Sequence, residues 1–287
     1  MLRIGMIGSE NSHSKAVSKV INVDKRIKGV EVVAVWGETK AFAKETAEAG
    51  QIPTIVDKVE DMLGMVDGVM IDHRHGKYHI PAAMPFIEAG IPAFVDKPLC
   101  CCLSEGKAFL NKAKAKRVPV TSYSAIPTYK SFQKFRDEVH AMEGVCAGVS
   151  SGPVDLKSKW GGVFFYGIHQ VDAVIELFGM DVTHVELRKQ GASGIGILYY
   201  KSGKLVTLNL IKGGAGFNFL AYGTKGVKWC QPKGDKVGYL ASTKRWVDMI
   251  KTGKEPIEHR RMLAPVAVLE ALGQALKTGK KVKVGKF

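Results

Sequence analysis

Residues 2–8 form an apolar run closed by Gly8, and residues 14–23 then place Ala16, Val17, Val20 and Ile21 at the spacing of one helical face. The pattern predicts strand, turn, helix. It recurs as a valine-rich run over 30–35, an alanine-rich helix over 41–49 and an apolar strand over 68–71. A helix over 80–89 closed by Gly90, a strand over 93–95, a helix over 104–116 and a short strand over 118–120 complete it. Strands that are apolar throughout belong to sheets covered on both faces. Their alternation with helices predicts a doubly wound parallel sheet, a Rossmann-type α/β domain over residues 1–120.

Beyond residue 120 the pattern changes. Short strands over 185–188, 195–200, 205–210, 217–222 and 227–230 are separated by glycine or Lys-Ser-Gly-Lys turns. Helical spacing falls over 132–142, 170–177, 242–251 and 260–276. Residues 121–287 are therefore expected to form an α+β domain with an open, mainly antiparallel sheet. An uncovered apolar sheet face seldom stays in water, so this domain is expected to pair copies of the chain into a homodimer or homotetramer.

Composition narrows the classes. The 287 residues are 46% hydrophobic and 24% charged, with no low-complexity stretch, which suits a globular chain with two cores. The longest apolar runs fall well short of the roughly 20 residues needed to cross a bilayer, and residues 1–8 lack the features of a signal peptide. Five cysteines, three of them adjacent at Cys100, Cys101 and Cys102, have neither zinc-ligand nor redox-motif spacing. A cytoplasmic protein without a metal or a membrane partner is expected. The net charge of +15 raises nucleic-acid binding, but the lysines are dispersed and no aromatic-basic interleaving accompanies them. The charge implies a preference for anionic small molecules rather than nucleic acid.

Three segments carry chemistry. The turn Gly8-Ser9-Glu10-Asn11-Ser12-His13-Ser14 lies where open α/β sheets hold a dinucleotide pyrophosphate, yet only Gly8 matches the Gly-x-Gly-x-x-Gly spacing. Asn11, Ser12 and Ser14 offer side-chain hydrogen bonds there, whether to a phosphate or as a cap on the following helix. After the second strand, Glu38 of Trp36-Gly37-Glu38-Thr39-Lys40 stands one residue beyond the usual ribose-binding acid, with Lys40 near, so NAD and NADP both remain open with a lean to NAD. Asp96-Lys97-Pro98 ends a strand at the carboxyl edge, where Lys97 can exchange a proton or place positive charge beside a carbinol oxygen. Farther on, His169 and Asp172 sit about one turn apart at the start of a helix, an imidazole that titrates near neutrality beside a carboxylate that can orient it. Lys157, Lys159 and Trp160 either face an anionic sugar or form a solvated loop.

The strand ending Asp96-Lys97-Pro98, followed by Gly161-Gly162 and then Gly167-Ile168-His169-Gln170-Val171-Asp172, resembles the glucose-fructose oxidoreductase and inositol dehydrogenase family. The resemblance extends through 66–71 with His79 and Ala89-Gly90, through Phe94-Val95 and Leu99, and through 246–256 and 277–282 at the far end. It implies an NAD- or NADP-dependent oxidoreductase moving a hydride, across the domain interface, between nicotinamide and a sugar, cyclitol or related polyol or carbonyl substrate. Lys97 and His169 would be its catalytic pair. The backbone around Gly8 and Ser9, with Asn11, Ser12 and His13, would take the pyrophosphate, and the Gly37–Glu38 segment the ribose. His73, His75, His79 and Asp96 would line the nicotinamide side. Lys97, Lys157, Trp160, Tyr166 and His169 would meet the substrate. Three departures stand out: the turn is poor in glycine, Gly37 replaces the ribose acid, and Phe165 stands where many members carry an acid four residues before the histidine. Tyr166, Asp172, a substrate group or water would then complete the proton relay, with Tyr166 the substitute of choice. Two other readings fit the departures: a non-catalytic dinucleotide sensor, or a lyase or glycoside hydrolase that uses tightly held NAD without net redox.

Overall fold

The structure is a computed structural model that describes residues 1–234 and 237–287. It divides into two compact units. The first contains Met1–Cys100, Ser104–Tyr123 and a late segment ending at Met262; the second contains Cys101–Leu103, Ser124–Gly234 and Leu263–Phe287.

In the first unit, β1 (Leu2–Ile7), α1 (Ser12–Ser18), β2 (Val30–Trp36), α2 (Lys40–Gly50), β3 (Thr54–Ile55), β4 (Gly68–Ile71), α3 (His79–Glu88), β5 (Ala93–Val95), α4 (Leu103–Lys116) and β6 (Val120–Thr121) alternate as the apolar pattern predicts. The six strands are parallel in the order β3-β2-β1-β4-β5-β6. That order reverses at β1, so Gly8, Asp72 and Asp96, which follow β1, β4 and β5, open on one carboxyl edge, the usual ligand crevice of such sheets. Both faces are covered: Ile4, Met6, Val32 and Met70 are buried in one cluster with Val17, Val20 and Ile21. The helix expected over 14–23 starts two residues earlier and widens into a π-helical turn over Lys19–Val23.

In the second unit, α5 (Lys130–His140), β7 (Ala147–Pro153), α6 (Val163–Phe178), β8 (Val182–Gln190), β9 (Ser193–Tyr200), β10 (Leu205–Ile211), β11 (Asn218–Gly223) and β12 (Gly226–Cys230) follow in sequence. Helices α7 (Leu240–Thr252) and α8 (His259–Thr278) and strand β13 (Val282–Lys283) end the chain. The sheet runs β12-β11-β7-β10-β9-β8-β13, antiparallel except for the β7/β10 pair. Alternation decides its faces: in β10, Val206, Leu208 and Leu210 are buried while Leu205 and Ile211 are exposed. Ile195, Val227 and Trp229 also stay uncovered, Trp229 at 71% exposure. Among the described residues no helix is long and apolar enough to cross a membrane.

Two expectations need correction. The contiguous division at residue 120 fails because α7 belongs to the first unit: Trp246 stacks on Phe94 of β5, and the Tyr123 hydroxyl donates to the Ser242 carbonyl. Helix α6 begins at Val163 rather than 170, which puts His169 and Asp172 well inside it rather than at its start. The run Val163-Phe164-Phe165-Tyr166 has strand-like composition, but the segment packs as helix.

Candidate active site

Gly8 closes β1 with φ +99°, and a Cβ there would lie 2.7 Å from the backbone of Asp72 and His73, so only glycine fits. The following N–H groups of Ser9 and Glu10 both donate to Glu38 Oε2, at 2.8 and 2.9 Å. A Cβ on Gly37 would approach Ala43 N to 2.8 Å, which explains why the acid stands one position later than the usual spacing. The other oxygen, Oε1, is buried and has no partner among the described residues. A buried carboxylate oxygen without a donor suits a ribose hydroxyl, the contact an NAD site requires here. Lys40 is almost fully exposed and pairs with Asp57 at 3.6 Å, at the surface.

His73 is buried with its ring 5.5 Å from Trp36 and 5.9 Å from Tyr78, and its Nδ1 also lacks a partner among the described residues. Burial, helped by His79, lowers its pKa to about 4, so it stays neutral as a donor or acceptor. The half-buried His75 accepts the Lys77 N–H, and Ser12 is exposed. His79 is completely buried. Its Nδ1 lies 2.7 Å from the Pro98 carbonyl and its Nε2 2.7 Å from the His73 carbonyl; burial lowers its pKa, and the one N–H of the neutral ring donates to one of these two loops.

The densest chemistry is a buried cluster at the carboxyl edge. Lys97, 8% exposed, places Nζ 3.0 Å from Asp96 Oδ2, and His13 Nδ1 lies 3.2 Å from Asp96 Oδ1. Burial alone would raise the Asp96 pKa, but Lys97 and His13 outweigh it and hold the carboxyl ionised, well below the usual range. Asn11 Nδ2 donates to Asp72 Oδ1 at 2.8 Å and to Asp96 Oδ2 at 3.3 Å; it takes the N-cap position of α1 without capping through its side chain. His13, Asp72 and Asp96 also offer ligand atoms within 4.8 Å of one another, where the Lys97 ammonium already supplies positive charge beside Asp96.

In the second unit, Ser124 Oγ lies 2.8 Å from His169 Nδ1, and Asp172 Oδ2 accepts the Ser124 N–H at 3.0 Å. Ser124 thus links the two residues that the sequence pairs directly. Phe217 and Tyr166 flank His169 at 5.4 and 5.6 Å, and Phe165 stands edge-on to Tyr166. Tyr166 is exposed. Lys157 and Lys159 are also exposed, Lys159 with its ammonium 4.6 Å from the Trp160 ring. Ser124, Asp72 and Phe217 escape the sequence reading. The signal for the first two is a hydroxyl or carboxyl closely following an apolar strand at the ligand edge; Phe217 has none.

Residues 2–124 match the profile of an oxidoreductase family with an NAD-binding Rossmann fold. An inositol 2-dehydrogenase of Corynebacterium glutamicum is 29% identical over 100 residues, which are 34% of this chain and 28% of that relative, so the chain matches little more than a quarter of the relative's length. Whole-chain similarity is structural. Myo-inositol 2-dehydrogenase from Lactobacillus plantarum superposes with TM-score 0.85 at 16% identity, covering 99% of each chain. GenD2 from gentamicin A biosynthesis, in complex with NAD, gives 0.84 at 16% identity over 99% of this chain and 96% of that one. These likenesses concern the fold.

Proposed function

We propose that this chain, whose residues 2–124 match the oxidoreductase family with an NAD-binding Rossmann fold, works as an NAD-dependent dehydrogenase on a sugar, cyclitol or related polyol or carbonyl compound. The observation that carries the reading is the buried Asp96–Lys97 pair at the carboxyl edge of the parallel sheet. A buried ammonium held by a carboxylate that stays ionised is a fixed positive charge, and it favours a hydroxyl oxygen as its proton departs. NAD, when bound, supplies the hydride acceptor. Glu38 Oε1 and the turn that Gly8 opens would hold the dinucleotide, with His73 beside it.

His169 is the proton acceptor in this reading. With Nδ1–H donating to Ser124 Oγ, Nε2 is the basic nitrogen that takes the hydroxyl proton, while Asp172 holds Ser124 in place through its backbone. Phe165 leaves no acid four residues before His169, and the exposed Tyr166 beside the imidazole is the available proton partner. Lys157, Lys159 and Trp160 would favour a substrate bearing a carboxylate or phosphate. Phe165 also favours a second reading, a dinucleotide sensor, which predicts cofactor binding without a reaction that depends on Lys97.

Calorimetric titration with NAD, NADH, NADP and NADPH tests the reading. NAD and NADH should bind in the micromolar range and more tightly than their phosphorylated counterparts, because Glu38 would face the 2′-phosphate. Glu38→Ala should weaken NAD binding by about tenfold and narrow that gap. Failure of all four dinucleotides to bind would remove the proposal. The exposed Ile195, Leu205, Ile211, Val227 and Trp229 support pairing of two copies through the second sheet. Sedimentation at the monomer mass at micromolar concentration would exclude that pairing.

A further inference from the structure

Two buried polar atoms at the carboxyl edge lack a partner on neighbouring side chains. Among the described residues, neither Glu38 Oε1 nor His73 Nδ1 has one. His73 follows β4, and its ring faces the end of β2: it lies 5.5 Å from Trp36, and the Glu38 carboxylate is near enough to act on its charge.

Both side chains are held in place. The Trp36 indole donates to the Asp57 carbonyl at 3.2 Å, and the Trp36 carbonyl accepts the Gly8 N–H and the Ser9 hydroxyl, each at 3.1 Å. The Ser9 and Glu10 N–H groups occupy Glu38 Oε2, which leaves Oε1 as the acceptor for a ligand. Tyr78 and His79 close on His73 with ring centres 5.9 and 6.2 Å away, so the imidazole is only 7% exposed.

The chemistry of the two atoms selects their partner. A carboxylate oxygen only accepts, so a group that satisfies Oε1 must bring a hydrogen. A hydroxyl has one to give, and its oxygen can still accept from an imidazole N–H. An ammonium has nothing to accept with, and a phosphate dianion has no hydrogen to give. The geometry points to a shared role: Glu38 Oε1 and His73 Nδ1–H together bind the 2′-hydroxyl of the adenosine ribose, which makes His73 a specificity-determining residue of the nucleotide site. His73 then belongs to the adenosine end of the site and not to the nicotinamide side that the family resemblance implies; the role rests on the dehydrogenase reading. Its place in the fold suits this. In sheets of this order the acid after the second strand meets that hydroxyl, and the loop that carries His73 runs directly against Gly8. Tyr78, 48% exposed, is the outer ring of the row and turns aside to admit the ribose.

The test compares NADH with its analogue lacking the adenosine 2′-hydroxyl, by fluorescence titration of the wild type, His73→Phe and His73→Asn. The wild type should bind the deoxy analogue about 10–100-fold more weakly, because two hydrogen bonds are lost and two buried atoms are left unpaired. Phenylalanine keeps a ring between Trp36 and Tyr78 but has no N–H, so NADH should bind about tenfold more weakly and the preference for the hydroxyl should shrink by a similar factor. Asparagine can place an amide N–H where Nδ1 stands, and should hold the preference within about threefold of the wild type. A wild type that binds both cofactors alike overturns the role, as does a phenylalanine variant with undiminished preference or an asparagine variant that loses it. Nitrogen-15 resonances of the wild-type histidines supply a measurement that needs no variant to fold. The His73 Nδ1 signal should shift with NADH and stay in place with the deoxy analogue; an equal response to both overturns the role. Failure of NADH itself to bind removes the dehydrogenase reading and this role together, whereas binding without discrimination removes the role of His73 alone.

Discussion

Lys97→Ala is expected to reduce kcat by about 10²–10⁴-fold while leaving NAD affinity within about tenfold of the wild type. The lysine would act on charge that develops at the substrate oxygen, so its loss belongs in turnover rather than in cofactor binding. A second effect has to be separated from the first. Removing the ammonium leaves Asp96, 4% exposed, with His13 as its remaining cationic candidate, and an uncompensated buried carboxylate costs about 3–5 kcal/mol. In the wild type, stability from the pair is present above the ordinary carboxylate range and lost only as pH falls toward the depressed Asp96 value. In the variant Asp96 should titrate higher, so its stability should decline as pH rises toward neutrality. Asp96→Asn combined with Lys97→Ala removes the stranded charge and should recover most of the stability but none of the turnover. A single variant that keeps kcat within a few-fold of the wild type would remove Lys97 from the chemistry.

How far a sequence discloses such a site depends on whether each residue's reason lies nearby in the chain. The parallel sheet is legible because β1, β2, β4 and β5 are apolar throughout and each connection carries a helical period. Lys97 is legible because Asp-Lys-Pro ends a strand. β7 is not: Ala147-Gly148-Val149-Ser150-Ser151-Gly152-Pro153 has little strand character. Its glycines answer to distant partners, since a Cβ at Gly148 would come within 2.3 Å of Phe178 and one at Gly152 within 2.3 Å of Phe217. Its buried Ser150 is there to bond Gln170 of α6. Asp72 is hidden for a related reason. A lone aspartate at a strand end reads as a solvated residue, and only the fold brings Ser14 and Asp96 against it.

Trp246→Ala is expected to destabilise the first unit by about 3–5 kcal/mol and to lower Tm by roughly 6–20 °C, read by calorimetry. Trp246 is among the largest fully buried side chains, and its ring lies 5.7 Å from Phe94 at an interplanar angle of 15°. Phe94 in turn contacts Tyr123 at 5.3 Å, so one aromatic stack joins β5, the segment after β6, and α7. Such stacking adds about 0.5–1.5 kcal/mol to the burial itself, and the smaller alanine leaves a cavity that the neighbouring β5 cannot fill without moving. β5 ends one residue before Asp96, so the damage should reach the candidate site, and the KM for the dinucleotide should rise. Trp246→Phe keeps an aromatic face on Phe94 and should recover more than half of the loss. A Tm within about 2 °C of the wild type for the alanine variant would show that α7 is an appendage and that residues 1–123 fold without it.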